Sequence, residues 1–152
     1  MKLHLGVNDI PYAHSPDGTT TYEVASILEG KYGIFQAFFD ANKEKVAGYL
    51  EQSVAGALET LMMGGPKSAT PFARGEAQIE GRFKEFLALQ EVERIGIKGV
   101  PTQAALDGVS HRFKNPRFEN KRGKKVKRKR RPSFIDTGLY QANMRAWMDT
   151  DG

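Results

Sequence analysis

The sequence predicts an α+β fold: three to four helices, one of them long and amphipathic, packed on a small antiparallel sheet, with an extended basic arm or hairpin. Three observations carry this expectation. Apolar residues alternate with polar ones near both chain ends, apolar residues at helical spacing fill the middle, and one strip before the C-terminal stretch is almost entirely charge.

In chain order, Leu3, Leu5 and Val7 alternate with polar or small residues, the mark of a half-buried strand. The next stretch, PYAHSPDGTT, has the Pro, Asp and Gly of a loop. Thr20 sits three residues before Glu23, a capping-box pattern ahead of Val24, Ile27 and Leu28, and Gly30 is placed to stop a helix over about 21–29. From Phe35 the stripe Phe35, Phe39, Val46, Leu50, Val54, Leu58, Leu61 predicts an amphipathic helix, widened by Phe38, Tyr49 and Ala57. Asn42 and Lys43 interrupt that stripe, so a restart near Asp40 is expected, and Gly64, Gly65 and Pro66 end it. Met62 and Met63 read as core filler at the helix end.

Thr70 and Pro71 offer a cap and a favoured first position for a second long helix, through Phe72, Ile79, Phe83, Phe86 and Leu87 to about 94. Gly96 and Gly99 close it. Pro101 opens a third helix through Ala105, Leu106, Val109 and Phe113, which Asn115 and Pro116 end. Residues 114–132 hold few apolar side chains and many repelling charges, and predict a flexible basic arm within a single domain spanning 1–152. Order is expected to return in SFIDTGLYQANMRAWMD. There Asp136 would cap a turn over Gly138 and Leu139, with Leu139 driven into the core, and Met144, Ala146 and Met148 alternate as a second strand.

A chain of 152 residues suffices for a real core without cross-links. Cysteine is absent, which excludes disulfides, thiolate metal sites and a Cys nucleophile. The N-terminal MKLHLGVNDIPY lacks the apolar stretch of a secretory signal, and no window approaches 18 consecutive apolar residues, so a soluble protein without membrane contact is expected. The net charge of +5 conceals an asymmetry. Lys121, Arg122, Lys124, Lys125, Lys127, Arg128, Lys129, Arg130 and Arg131 supply nine charges from eleven positions; the remainder holds 14 basic against 18 acidic residues, a net of −4. The chain is an acidic body with one basic strip.

Catalytic patterns are not visible. His4, His14 and His111 are scattered without zinc spacing. Ser110 or Ser133 with His111 and Asp136 lacks a nucleophile elbow and an oxyanion loop. Glu76, Glu80 and Glu85 read as a charged helix face, solvated or paired with residues such as Arg82 and Lys84. The glycines match no phosphate-binding pattern. The expectation is a protein that is not an enzyme and has no cofactor or metal. Trp147, on the outward phase of its strand, is covered either by another element of the domain or by a neighbouring subunit. The basic run has three readings: a solvated tail, a phosphate grip whose affinity falls with salt, or an arm docked on an acidic protein surface. With Val126 its only apolar residue and no aromatic in it, base readout is not indicated.

The order of motifs resembles the small neck or tail-completion proteins of tailed bacteriophages. The segments that carry the resemblance are YEVASILE at 22–29, FFDANKEKVAGYLEQSVAGALETLM at 38–62, ERIGIKGVPTQAALDGV at 93–109 and RPSFIDTGLYQANMRAW at 131–147. The chain departs from the family pattern after the first helix, where it reads EGKYGIFQAFF. It departs again after the DTG turn, where Gln141, Ala142 and Asn143 occupy the stretch that usually carries a serine. The resemblance implies a structural virion protein of the head-tail junction, made in the host cytoplasm. It would form a homo-oligomeric ring, a hexamer or dodecamer, against connector, tail-terminator or tail-tube proteins. It also implies a structural role for Asp136, Thr137, Gly138 and Leu139. The nine basic residues are then expected on a neighbouring protein surface, with non-specific contact to packaged DNA as the other placement. The competing reading is a sequence-neutral nucleic-acid-binding protein that grips with residues 121–131.

Overall fold

The computed structural model describes residues 1–13, 17–108, 129–135 and 138–149. Its architecture is α+β. Strand β1 (Lys2–Val7) is followed by helices α1 (Thr21–Tyr32), α2 (Ile34–Met62), α3 (Ala73–Ala88), α4 (Glu91–Arg94), α5 (Gln103–Leu106) and α6 (Leu139–Ala142), and strand β2 (Met144–Asp149) closes the order. The expected strands pair antiparallel, Leu3 opposite Met148 and Val7 opposite Met144. Met144 and Ala146 are buried against the helices, whereas Lys2, His4, Arg145 and Trp147 lie on the other face.

Thr20 caps α1 through the expected box: its hydroxyl accepts from the Glu23 N–H at 3.3 Å, and the Glu23 carboxylate accepts from the Thr20 N–H at 3.0 Å. Gly30 does not stop this helix. Gly33 does, at φ 61°, a left-handed conformation that glycine adopts without a Cβ clash. Because Gly33 brings no side chain to the start of α2, Glu29 supplies the cap. Its carboxylate accepts from the Phe35 N–H at 2.7 Å and the Gln36 N–H at 3.4 Å.

Helix α2 runs unbroken through Asn42 and Lys43, against the expected restart. The Asn42 amide donates to the Phe38 carbonyl at 2.9 Å and accepts from Arg82 Nε at 2.8 Å, so the polar side chain is satisfied inside the helix pair. Helix α3 runs back along α2. Ser53 bonds the Pro71 carbonyl and the Gly75 N–H, Asn42 meets Arg82, and Phe38 packs edge-on to Phe83 and Phe86 at 5.2 and 5.5 Å. Closest approach is at Gly75, where a Cβ would stand 2.8 Å from the Tyr49 carbonyl oxygen. The buried stripe of α2 is accordingly Ile34, Phe38, Asn42, Val46 and Ser53. Phe35, Phe39, Tyr49 and Leu50 flank it, half-buried, while Leu58 and Leu61 are exposed because α3 covers only the earlier part of α2.

The second long helix is shorter than expected. Phe72 rather than Thr70 holds the N-cap position, and the helix ends at Ala88, where Gln90 turns left-handed at φ 57° and starts α4. That break brings Glu91 back onto the guanidinium of Arg82, which also lies 3.5 Å from Glu85. The hydrogen bond that Arg82 donates to Glu91 holds the guanidinium above its ordinary pKa, against the opposing pull of burial. The third helix is capped by Thr102 rather than opened by Pro101, and α5 spans one turn; Val109 and Phe113 lie outside the described residues.

Helix α3 also closes one edge of the sheet. Glu80 accepts from the Ala146 N–H at 3.3 Å and from Arg145 at 3.1 Å, and Glu76 accepts from the Met148 N–H at 2.8 Å. Four helical residues rise about 6 Å and two strand residues about 6.8 Å, so carboxylates at i and i+4 match alternate strand amides. Of the three carboxylates expected to be solvated or paired along their own helix, Glu85 alone pairs that way, with Arg82.

Candidate functional site

The basic run re-enters the described fold at Lys129, and its last residues are tied to the body. Glu93 of α4 is the anchor. Its side chain is only 5% exposed, accepts from the Ser133 N–H at 2.9 Å and the Ser133 hydroxyl at 2.7 Å, and pairs with the Arg130 guanidinium. Ser133 Oγ in turn accepts from the Thr102 N–H at 3.2 Å, and the Arg131 N–H donates to the Ala105 carbonyl at 3.0 Å. The returning segment is thus pinned across α4 and α5. Phe134 follows at φ 66°, its ring 5.2 Å from that of Tyr32.

This arrangement is a clamp. Ser133 is fully buried and its hydroxyl donates to Glu93, so this oxygen is committed to the clamp rather than exposed as a nucleophile. His14, His111, Ser110 and Asp136 lie outside the described residues, and His4 lies on the sheet, stacked 5.3 Å from Trp147. Among the described residues no group of three His, Asp or Glu side chains is placed to hold a metal ion. No described helix is long and apolar enough to cross a membrane.

The predicted arm residues divide. Lys129, Arg130 and Arg131 are described, Arg130 on Glu93 and Lys129 exposed; Lys121, Arg122, Lys124, Lys125, Lys127 and Arg128 lie outside the described residues. In the turn, Asp136 and Thr137 lie outside them too, so the expected aspartate cap has no described geometry. Gly138 stands at the N-cap of α6 with φ 77°. Leu139 is half-buried, and Tyr140 takes the core position expected of it, packed on Phe83 and Phe35. The Tyr140 hydroxyl has no hydrogen-bond partner among the described residues, and burial, with the Glu29 carboxylate nearby, pushes its pKa well up. Trp147 is 46% exposed; it stacks on His4, and its ring edge lies over Gly6, where a Cβ would come within 3.1 Å.

Two features escape sequence reading. Glu93 has no local signal, because its partners lie 37 and 40 residues ahead in the chain. The end of α2 misleads: Leu58, Leu61, Met62 and Met63 read as core, yet all are exposed, Met62 at 88%. The clue available was the Gly64–Gly65–Pro66 break, which starts the return well before the next apolar stripe. Compared with known proteins, the chain matches no family model, no curated sequence and no solved structure.

Proposed function

We propose that this chain is a structural protein of the head-tail junction of a tailed bacteriophage, completing the neck or tail as a ring of its own copies that interlocks with adjoining rings. The reading starts from the order of sequence motifs. The observation that carries it is the projecting end of α2. Leu58, Leu61, Met62 and Met63 crowd the end of this helix, and all four are exposed. A contiguous exposed apolar ridge of this kind fits a protein contact better than a solvated helix face, and methionine adapts readily to an uneven partner surface.

The basic run fits the same reading. Its C-terminal root sits on a protein carboxylate, Glu93, and the chain outside positions 121–131 carries a net charge of −4, so neighbouring copies offer each other complementary surfaces. Such contacts steer encounter and register in a closed ring. Electron microscopy of particles assembled without this protein tests the proposal. Separated heads and tails are the expected result, and normally joined particles would overturn it.

A further inference from the structure

The two edges of the sheet are treated differently. On β2, the N–H groups of Ala146 and Met148 point away from β1 and are taken by Glu80 and Glu76. In an antiparallel pair, residues opposite such outward-pointing positions also point outward. Their partners are Leu5 and Leu3, so the N–H and C=O groups of both face away from β2. The bond from the Asn8 N–H to the Asn143 carbonyl at 2.9 Å fits the same alternation. No described residue hydrogen-bonds these outward groups of Leu3 and Leu5.

Beside that edge runs an open groove of about 540 Å³, lined by Lys2, Leu3, Leu5, Glu29, Phe35 and Phe39 among others. Phe35 and Phe39 belong to α2, so aromatic side chains share with the β1 edge the groove in which a third strand would lie, roughly 4.8 Å beyond β1. The geometry points to this edge as a strand-addition site for an extended segment of another polypeptide, with apolar residues at alternate positions.

Main-chain groups of Leu3 and Leu5 would form up to four hydrogen bonds with it, and its apolar side chains would rest on Phe35 and Phe39. The occupant comes without a helix layer of its own, because α2 already fills that layer. This selects a loop or terminal segment over the β1 edge of a second copy. Both carboxylate oxygens of Glu29 are engaged on the Phe35 and Gln36 amides, which leaves exposed Lys2 to choose charge, so acidic residues on the polar face are favoured. The inference stands apart from the head-tail reading, since it needs only the open edge.

The test uses the full chain, amide hydrogen exchange read by NMR, and the synthetic peptide acetyl-Glu-Val-Glu-Val-Glu-Val-amide. At millimolar peptide, exchange at the Leu3 and Leu5 amides should slow at least tenfold. Leu5→Pro, which removes an outward N–H together with a side chain packed on the core, should abolish protection at Leu3. Lys2→Glu, which changes only the charge at the rim of the groove and keeps the Leu3 and Leu5 main-chain groups and the Phe35 and Phe39 rings, should weaken the protection at least threefold and provides the test if the proline variant misfolds. Three results would each overturn the inference: no protection by the peptide, equal protection by acetyl-Glu-Glu-Glu-Val-Val-Val-amide, or protection in the protein alone that grows with its own concentration.

Discussion

Glu93 shows how one side chain can tie down the end of a charged segment. Glu93→Ala would leave the Ser133 N–H and hydroxyl without their acceptor and Arg130 without its partner; a loss of about 3 kcal/mol is expected in urea unfolding. Glu93→Gln keeps an acceptor for Ser133 and should lose less than half of that. Tyr140 carries the opposite kind of strain, a buried hydroxyl without a described partner. Its folded-state pKa lies above the unfolded value near 10, so above that pH the unfolded chain releases the proton first. Stability present below pH of about 10 should therefore fall as pH rises beyond it, by at most about 1.4 kcal/mol per unit from this group. Tyr140→Phe should remove that slope and cost less than about 1 kcal/mol at pH 7, measured by urea unfolding at a series of pH values. Sequence reading placed the apolar position one residue early, at Leu139. Helical phase over a single turn is set by how Gly138 enters it, and that left-handed entry is a property of the backbone.

At the scale of elements, the pairing of α2 with α3 depends on the missing side chain at Gly75. Gly75→Ala ordinarily favours a helix by up to about 1 kcal/mol, but here the new Cβ would meet the Tyr49 carbonyl at 2.8 Å. The close contact should win, with a net loss of about 1–3 kcal/mol and a lower Tm in thermal unfolding; a gain in stability would show that the helices part without cost. The capping box of α1, the bulk of α2 and both strands were legible, since each rests on residues within one turn or on simple alternation. The ends of α1 and α3 were not. Gly30 and Gly33 are equally able to end a helix, and Gln90 adopts a left-handed conformation that gives Glu91 its contact with Arg82, a partner nine residues back.

For the whole molecule, the exposed apolar end of α2 lets the proposed ring contact be tested apart from stability. The double substitution Leu58→Lys with Met62→Lys falls on exposed positions and should shift unfolding by less than about 0.5 kcal/mol. If the ridge joins copies into a ring, the same variant should sediment as a monomer under conditions where the wild type assembles; a ring of unchanged mass would remove the ridge from the interface. What the sequence by itself determined were the features with short-range causes: the α+β class, the two strands at opposite ends of the chain, the long helix, and the separation of a basic strip from an acidic body. Only the tertiary structure decided which apolar residues are core, which carboxylates close the sheet edge, and where the basic run is tied down. Those outcomes depend on which elements lie opposite one another: α3 leaves the last turns of α2 uncovered, turns Glu76 and Glu80 onto β2, and leads into the turn that brings Glu93 to meet Ser133. Periodicity marks which face of an element is apolar, but coverage of that face depends on contacts between residues tens of positions apart.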